Sequence, residues 1–269
     1  MKEIPISEYN WTEFKQFCYE QQFKQGTLFR GQSNSNWKLV PSCARHKYGA
    51  DFRKYIERIL PEAKRYVAGY VDYDFDLTSD DDRNRLMGLL QHHGFPTPLL
   101  DWTISPYIAA YFAFADYAFS MPGSDYVAVW LLNAEYSIEF FEENQGGCPF
   151  DIVMPDSRFN KRLLAQDGIF TLSLSPLPLD EELLRTMKKH DHLGLLQKIV
   201  LPVEASRLAL KDLSLMGLHP GTLFPGLDGT CEMLKMKLLT DSEMLMSPRG
   251  KRLVASMLEG LKKGNGNNR

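Results

Sequence analysis

Two spacings organise the hydrophobic and polar positions of this chain, apolar residues at intervals of three and four in some segments and short unbroken apolar runs in others. Helices around a few strands are therefore predicted. Trp11, Phe14, Phe17 and Cys18 stand at helical spacing within residues 7–22, with Ser7 or Asn10 available as the cap. After Gly26 the run Thr27-Leu28-Phe29-Arg30-Gly31-Gln32 has strand character; it stops at Ser33-Asn34-Ser35-Asn36, and an extended course resumes from Trp37 to Pro41. Between residues 51 and 70, Phe52, Tyr55, Ile56, Ile59 and Leu60 recur at helical intervals up to Pro61, which starts a further turn or a new helix. The acidic residues 72–82 read as a loop whose Ser79 or Asp80 caps a helix over 81–92, with Leu86, Leu89 and Leu90 inward.

Residues 107–119 are apolar almost all the way round, which predicts a central helix buried on most sides. Residues 127–132 form the strongest strand pattern, followed by 168–172 and 198–202. Gln145-Gly146-Gly147 marks a loop and residues 158–166 a short basic segment. Residues 179–189 and 203–216 read as helices, the second ended by Gly217, and Thr222 to Gly229 opens a last helix or helical pair. The stretch from Lys262 onward is too polar and too rich in Gly and Asn to pack. No period of 20 to 50 residues repeats. Helices and strands in non-alternating order make the expected class α+β, with short, mostly antiparallel strands surrounded by helices. The expected division is one domain over residues 1–245, then a basic helix and tail over 246–269.

Composition removes several classes of function. A formal net charge of -3 over 269 residues gives no reason to expect a strongly basic nucleic-acid face. Cys18, Cys43, Cys148 and Cys231 lack any C-x-x-C spacing, so reduced thiols are expected rather than a zinc ribbon or a disulfide framework. The start Met1-Lys2-Glu3-Ile4-Pro5 does not resemble a secretory leader, and no apolar run is long enough to span a bilayer; a cytoplasmic location with no membrane partner is the expectation. P-loop, G-x-G-x-x-G, H-E-x-x-H and EF-hand patterns are absent, which removes the usual support for ATP hydrolysis, a Rossmann cofactor, zinc peptidase activity or any predicted metal.

Candidate chemistry concentrates in residues 91–106, where Gln91-His92-His93-Gly94 is followed by Asp101, Thr103 and Ser105 in what reads as a loop. Adjacent His92 and His93 point about 100° apart on a helix, so they cannot readily share one metal, and His93 is the one expected at a cleft, a hydrogen-bonded core histidine being the alternative. Asp101, between two leucines and Trp102, needs a partner in an apolar surround: Arg30 or His93 would serve, or it caps the helix that starts near Pro106. Thr103 and Ser105 read as caps more readily than as nucleophiles, and a hydroxyl-lined helix start is also an anion site. Arg30 beside Gly31 suits a phosphate grip, since a guanidinium makes bidentate contacts and glycine permits close approach; a buried ion pair with Asp101 uses the same chemistry. Trp37, Trp102, Phe112 and Phe114 are candidates for stacking a ring, with core packing preferred for the two phenylalanines. His190-Asp191-His192 reads as a solvated loop beside Lys188 and Lys189, or as a metal site only if a third ligand arrives from elsewhere, and Asp228 reads as a cap more readily than as a residue that reaches the cleft.

Phe29-Arg30-Gly31-Gln32-Ser33, Trp37-Lys38-Leu39-Val40-Pro41-Ser42, the segment from Gln91 to Pro106, the run from Arg162 to Thr171 and the block from Leu223 to Gly229 together resemble the FRG domain family, named for its Phe-Arg-Gly signature. The likeness runs through nearly the whole chain. Where the family usually has an arginine this chain has Pro98, and where the family has an acidic residue it has Gly226. A looser similarity extends to ADP-ribosyltransferase folds, which implies a small split sheet with NAD bound in its cleft. On that likeness Arg30 is the first-strand residue that holds the dinucleotide, Thr103 and Ser105 are the hydroxyls before the buried helix, and Gln166 occupies the late-strand position of the usual glutamate. A neutral amide can bond a ribose hydroxyl but supplies no negative charge to a developing cation. The resemblance thus implies NAD or a related nucleotide as substrate, with Arg30, Gly31, Gln32, Thr103 and Ser105 holding it and Arg30, His93, Asp101, Thr103 and Gln166 around the reaction. Transfer or hydrolysis of ADP-ribose, as in a bacterial toxin or anti-phage effector, is one implied activity. A nucleotide or nucleic-acid binding module without turnover is the other.

Overall fold

The computed structural model describes residues 3–20, 23, 25–45, 51–120, 123–144, 147–154, 161–190 and 194–235. Its elements run β1 (Ile6–Glu8), α1 (Trp11–Glu20), β2 (Thr27–Gln32), α2 (Phe52–Lys54), α3 (Leu60–Val67), α4 (Asp80–His92), β3 (Leu99–Thr103), α5 (Pro106–Ser120), β4 (Tyr126–Asn133), α6 (Ala134–Glu143), β5 (Phe150–Val153), α7 (Lys161–Ala165), β6 (Gly168–Ser173), α8 (Leu179–His190), β7 (Leu196–Pro202), α9 (Ser206–Leu215), α10 (Pro220–Leu223) and α11 (Leu227–Lys235). The chain divides into two compact units, the first ending at Leu218 and the second beginning at His219. The expected boundary at residue 245, the terminal tail, and Asp191 and His192 of the second histidine cluster lie outside the described residues.

The fold is α+β. Seven strands form one mixed sheet in the order β1-β7-β4-β2-β3-β6-β5, a single continuous sheet where the resemblance implied a small split one. β1 pairs with β7 in parallel, and the other ladders are antiparallel. β2 and β3 share a single registered pair, Phe29 with Thr103, whereas β2 and β4 are paired along six residues from Thr27 with Asn133 to Gln32 with Ala128.

Strand alternation sends successive side chains to opposite faces, and helices cover both. On one face Leu28, Leu100, Trp102, Ala128, Trp130 and Leu132 pack with Phe140 and Phe141 of α6 and Leu179, Leu183 and Met187 of α8. On the other face, α5 lies across β2 and β4, and Leu86, Met87, Leu89 and Leu90 of α4 pack with Leu99, Phe170 and Leu172. α5 is buried from Ile108 to Tyr111 and again from Ala113 to Ala115, as its all-round apolar sequence predicts. The indole of Trp11 meets the Phe114 ring edge-on at 5.9 Å.

Local sequence accounts for most of the ends. Asn10, not Ser7, starts α1: its Oδ1 accepts from the Thr12 and Glu13 amides at 2.9 and 3.0 Å, while Glu13 accepts in return from the Asn10 amide at 2.8 Å. That reciprocal arrangement is a capping box. Ser7 lies in β1 instead. Ser79 caps α4 as predicted. Pro61 stands in the first turn of α3, the new helix its position predicts; the five residues before Leu60 form a π-helical stretch, with the Leu60 amide bonded to the Tyr55 carbonyl. The Leu99–Thr103 segment, expected as a loop, is a strand paired along its whole length with β6. No helix among the described residues is long and apolar enough to cross a membrane.

Candidate functional site

β2 carries Arg30 opposite Trp130 of β4. By alternation Arg30 belongs to the Leu28 face and Asp101 to the opposite one. They meet because β2 and β3 are paired at one position only. Continuing that ladder would set Gly31 opposite Asp101; instead the Asp101 carbonyl accepts a hydrogen bond from Arg30 Nη1 at 2.6 Å. The guanidinium bridges the gap where the next rung would be, and Nη1 also stands 3.5 Å from Asp101 Oδ2.

The two partners differ in exposure. The Arg30 side chain is 15% exposed and that of Asp101 62%. Arg30 Nε is buried without an acceptor among the described residues. Burial is the main influence lowering the Arg30 pKa; Asp101 opposes it and the like charge of Arg45 adds to it. An arginine stays protonated under such influences, so the site keeps its positive charge at neutral pH.

The far side of Asp101 belongs to a residue that the sequence reading does not single out. Gln91, in the last turn of α4, donates from Nε2 to Asp101 Oδ1 at 2.6 Å, and its Oε1 accepts from the hydroxyl of buried Thr97. Asp101 therefore caps no helix; it sits between a guanidinium and an amide.

The remaining candidates divide between groups bonded within the framework and groups on the surface. Thr103 Oγ1 accepts from the Ser105 amide at 3.2 Å, and Ser105 Oγ accepts from the Ile108 amide at 3.3 Å, so both hydroxyls build the start of α5. Gly31 faces that helix: a Cβ there would lie 1.9 Å from the Ala109 carbonyl oxygen, so the missing side chain serves helix packing. Gln32 is buried, accepting from Trp130 Nε1 at 2.7 Å and donating to the Lys38 carbonyl at 3.2 Å. His93 is not a core residue. It is exposed at the end of α4, its ring edge-on to His92 at 5.0 Å, and Gln91 is the α4 residue that reaches Asp101. His92 is half-buried, and burial, then Arg162 and His93, favours its neutral form. Gln166 follows α7, two residues before Gly168, which pairs with Thr103. Trp102 is core, its Nε1 bonded to Thr171 Oγ1 at 2.9 Å, Phe114 is fully buried, and Trp37 is exposed. Asp228 lies exposed in the first turn of α11.

A groove of about 670 Å³ runs beside β5, with Phe52, Ile56, Met87, Ile152, Leu172 and Leu174 among its lining, and none of the predicted site residues lines it. Among the described residues no group of three His, Cys, Asp or Glu is placed to hold a metal.

Residues 25–120 match the family model of the FRG domain. The chain contains an FRG domain. No curated protein and no solved structure matches the chain. The FRG domain holds Arg30, Gln91, Thr97 and Asp101, the complete hydrogen-bonded group described above, together with α5. Gln166 and the block from Leu223 to Gly229 lie beyond the matched range, so the FRG match is shorter than the near-whole-chain likeness expected.

Proposed function

We propose that the FRG domain binds NAD or a related nucleotide at the Arg30–Asp101 pair between β2 and β3, and transfers or hydrolyses its ADP-ribose unit. One observation supports this above the others: a mostly buried guanidinium stands beside a carboxylate that is mostly in water. An arginine kept only for structure would have its partner buried with it and its donors satisfied, because an unpaired buried donor is costly. Here the guanidinium keeps its charge and a 15% exposed edge beside a carboxylate that stays in water, which suits a phosphate oxygen.

In this reading Arg30 grips phosphate and Asp101 supplies the negative charge that a developing ribosyl cation requires, a role that Gln166 as an amide cannot fill. Thr103 and Ser105 set the start of α5, and His93 is exposed at the end of α4.

Calorimetry with NAD and ADP-ribose, together with an assay for released nicotinamide, tests the reading. The expected result is binding and release by the natural chain. Arg30→Ala is expected to lose binding with a melting temperature within a few degrees, and Asp101→Asn to bind without release. Binding with no release in the natural chain assigns the turnover-free module instead. Absence of both heat and release removes NAD and ADP-ribose as ligands.

A further inference from the structure

The residue behind the site is more constrained than the site itself. Gln91 is held at both ends, by Thr97 through Oε1 and by Asp101 through Nε2 at 2.6 Å. Thr97 is fully buried and fixed on every side. Its amide donates to Ser42 Oγ at 2.9 Å, its carbonyl accepts from the Cys43 amide at 3.1 Å and from the Ser42 hydroxyl at 3.2 Å, and its Oγ1 accepts from the Leu99 amide at 3.3 Å.

That last bond determines the direction of the others. With the Leu99 N–H directed at the Thr97 oxygen, the hydroxyl proton is free to be donated to Gln91 Oε1. The amide must then present its NH₂ group to Asp101, since the reversed orientation would set two oxygens against each other at that carboxylate. Asp101 is exposed, and its second carboxylate contact, to Arg30 at 3.5 Å, is long. Without the amide its side chain would sample several rotamers.

We propose that Gln91 is a positioning residue: it carries the rigidity of buried Thr97 out to Asp101, fixing one carboxylate oxygen so that the other is presented beside Arg30. What the presented oxygen then does rests on the proposed nucleotide site; the clamp itself does not.

The test uses the whole chain with Gln91→Met, Gln91→Glu and the double variant Gln91→Glu/Asp101→Asn. Melting temperatures without ligand are measured from pH 5 to 8, and ADP-ribose affinity is measured over the same range. Asp101 meets the amide directly; the further charged and titratable groups are Arg30 beside Asp101, Arg45 acting on Arg30 from residues 43–45, His92 at the end of α4 with His93 after it, and Arg162 on α7 acting on His92. They are common to the single variants, so each is compared with the natural chain at the same pH.

Gln91→Met is expected to melt lower by a similar amount at every pH. Gln91→Glu is expected to melt lower by about 3–6 °C at pH 8, where two carboxylates face each other, and to recover toward pH 5 as the introduced carboxyl takes up a proton and becomes a donor. The double variant restores a donor and an acceptor in reversed order and is expected to recover the pH 8 loss. Loss of ADP-ribose affinity of about tenfold is expected in Gln91→Met. In Gln91→Glu that loss shrinks toward pH 5.

Parallel melting curves for Gln91→Glu and Gln91→Met, or a double variant no better than the single one, overturn the clamp. Equal ADP-ribose affinity in Gln91→Met and the natural chain overturns positioning. If ADP-ribose binds none of the proteins, the nucleotide reading fails and the ligand-free curves still decide the clamp.

Discussion

A mostly buried guanidinium with one N–H lacking an acceptor carries a desolvation cost, and Arg30 is retained in that state beside an exposed carboxylate. Arg30→Lys keeps the positive charge but loses the planar fork, so ADP-ribose binding is expected to weaken by at least about tenfold in calorimetry, with the melting temperature changed little. The next residue has the opposite sensitivity. Gly31→Ala would place a methyl group 1.9 Å from one α5 backbone atom and 2.8 Å from another, neither of which can swing aside. Urea unfolding should show a loss of about 3 kcal/mol or more, and a loss below about 1 kcal/mol would mean that α5 can shift away from β2. Arg30 and Asp101 are legible in the sequence because a charge among apolar residues must find a partner. Gln91 is not, since a neutral amide creates no such demand; its role exists only once α4 and β3 lie side by side. The glycine of the signature reads as room for a ligand, whereas the room is filled by a helix. A missing Cβ indicates close approach without naming what approaches.

At the scale of elements, α5 depends on its first turn. Ser105→Ala removes the acceptor for the Ile108 amide and is expected to cost about 1 kcal/mol in thermal or urea unfolding, without altering ligand binding if the hydroxyl is used only for capping. The long periodic elements α1, α4, α5, α8 and α9 and the strands β2, β4, β6 and β7 can be read from spacing, because burial of a single helix stripe or an unbroken apolar run leaves a strong pattern. β3 leaves no such trace. Its five residues lie between Pro98 and Pro106 and include an aspartate, so local signals of a turn outweigh those of a strand. β1 and β5, three and four residues long, are too short for any period to register. α6 follows β4 with no intervening turn residue to announce it. Each of these depends on tertiary pairing for its conformation.

The whole molecule shields several weak acids, fully at Cys43 and in part at Cys18 and Cys148. Burial raises the thiols of Cys43 and Cys148 from 9.0 to about 11 and that of Cys18 to about 12, and raises the Tyr55 phenol as well. Between pH 9 and 11 the unfolded chain releases these protons while the folded chain keeps them, so stability falls as pH rises. Lys198, lowered by burial, works in the other direction, but the raised groups outnumber it. The urea midpoint is therefore expected to fall steadily above pH 9, and a flat profile to pH 11 would contradict this burial. Below pH 9 the same thiols stay protonated, and iodoacetamide at pH 8 should reach exposed Cys231 before the other three. The joint between β2 and β3 sets a different property of the molecule. Because one residue pair connects the four strands on one side with the three on the other, the sheet has a seam. Breathing along it would draw the two charged groups apart before either half melts. Amide hydrogen exchange near Gly31 and Asp101 should then outpace that in the middle of β4, and a bound nucleotide spanning both sides would act as a stitch that slows it.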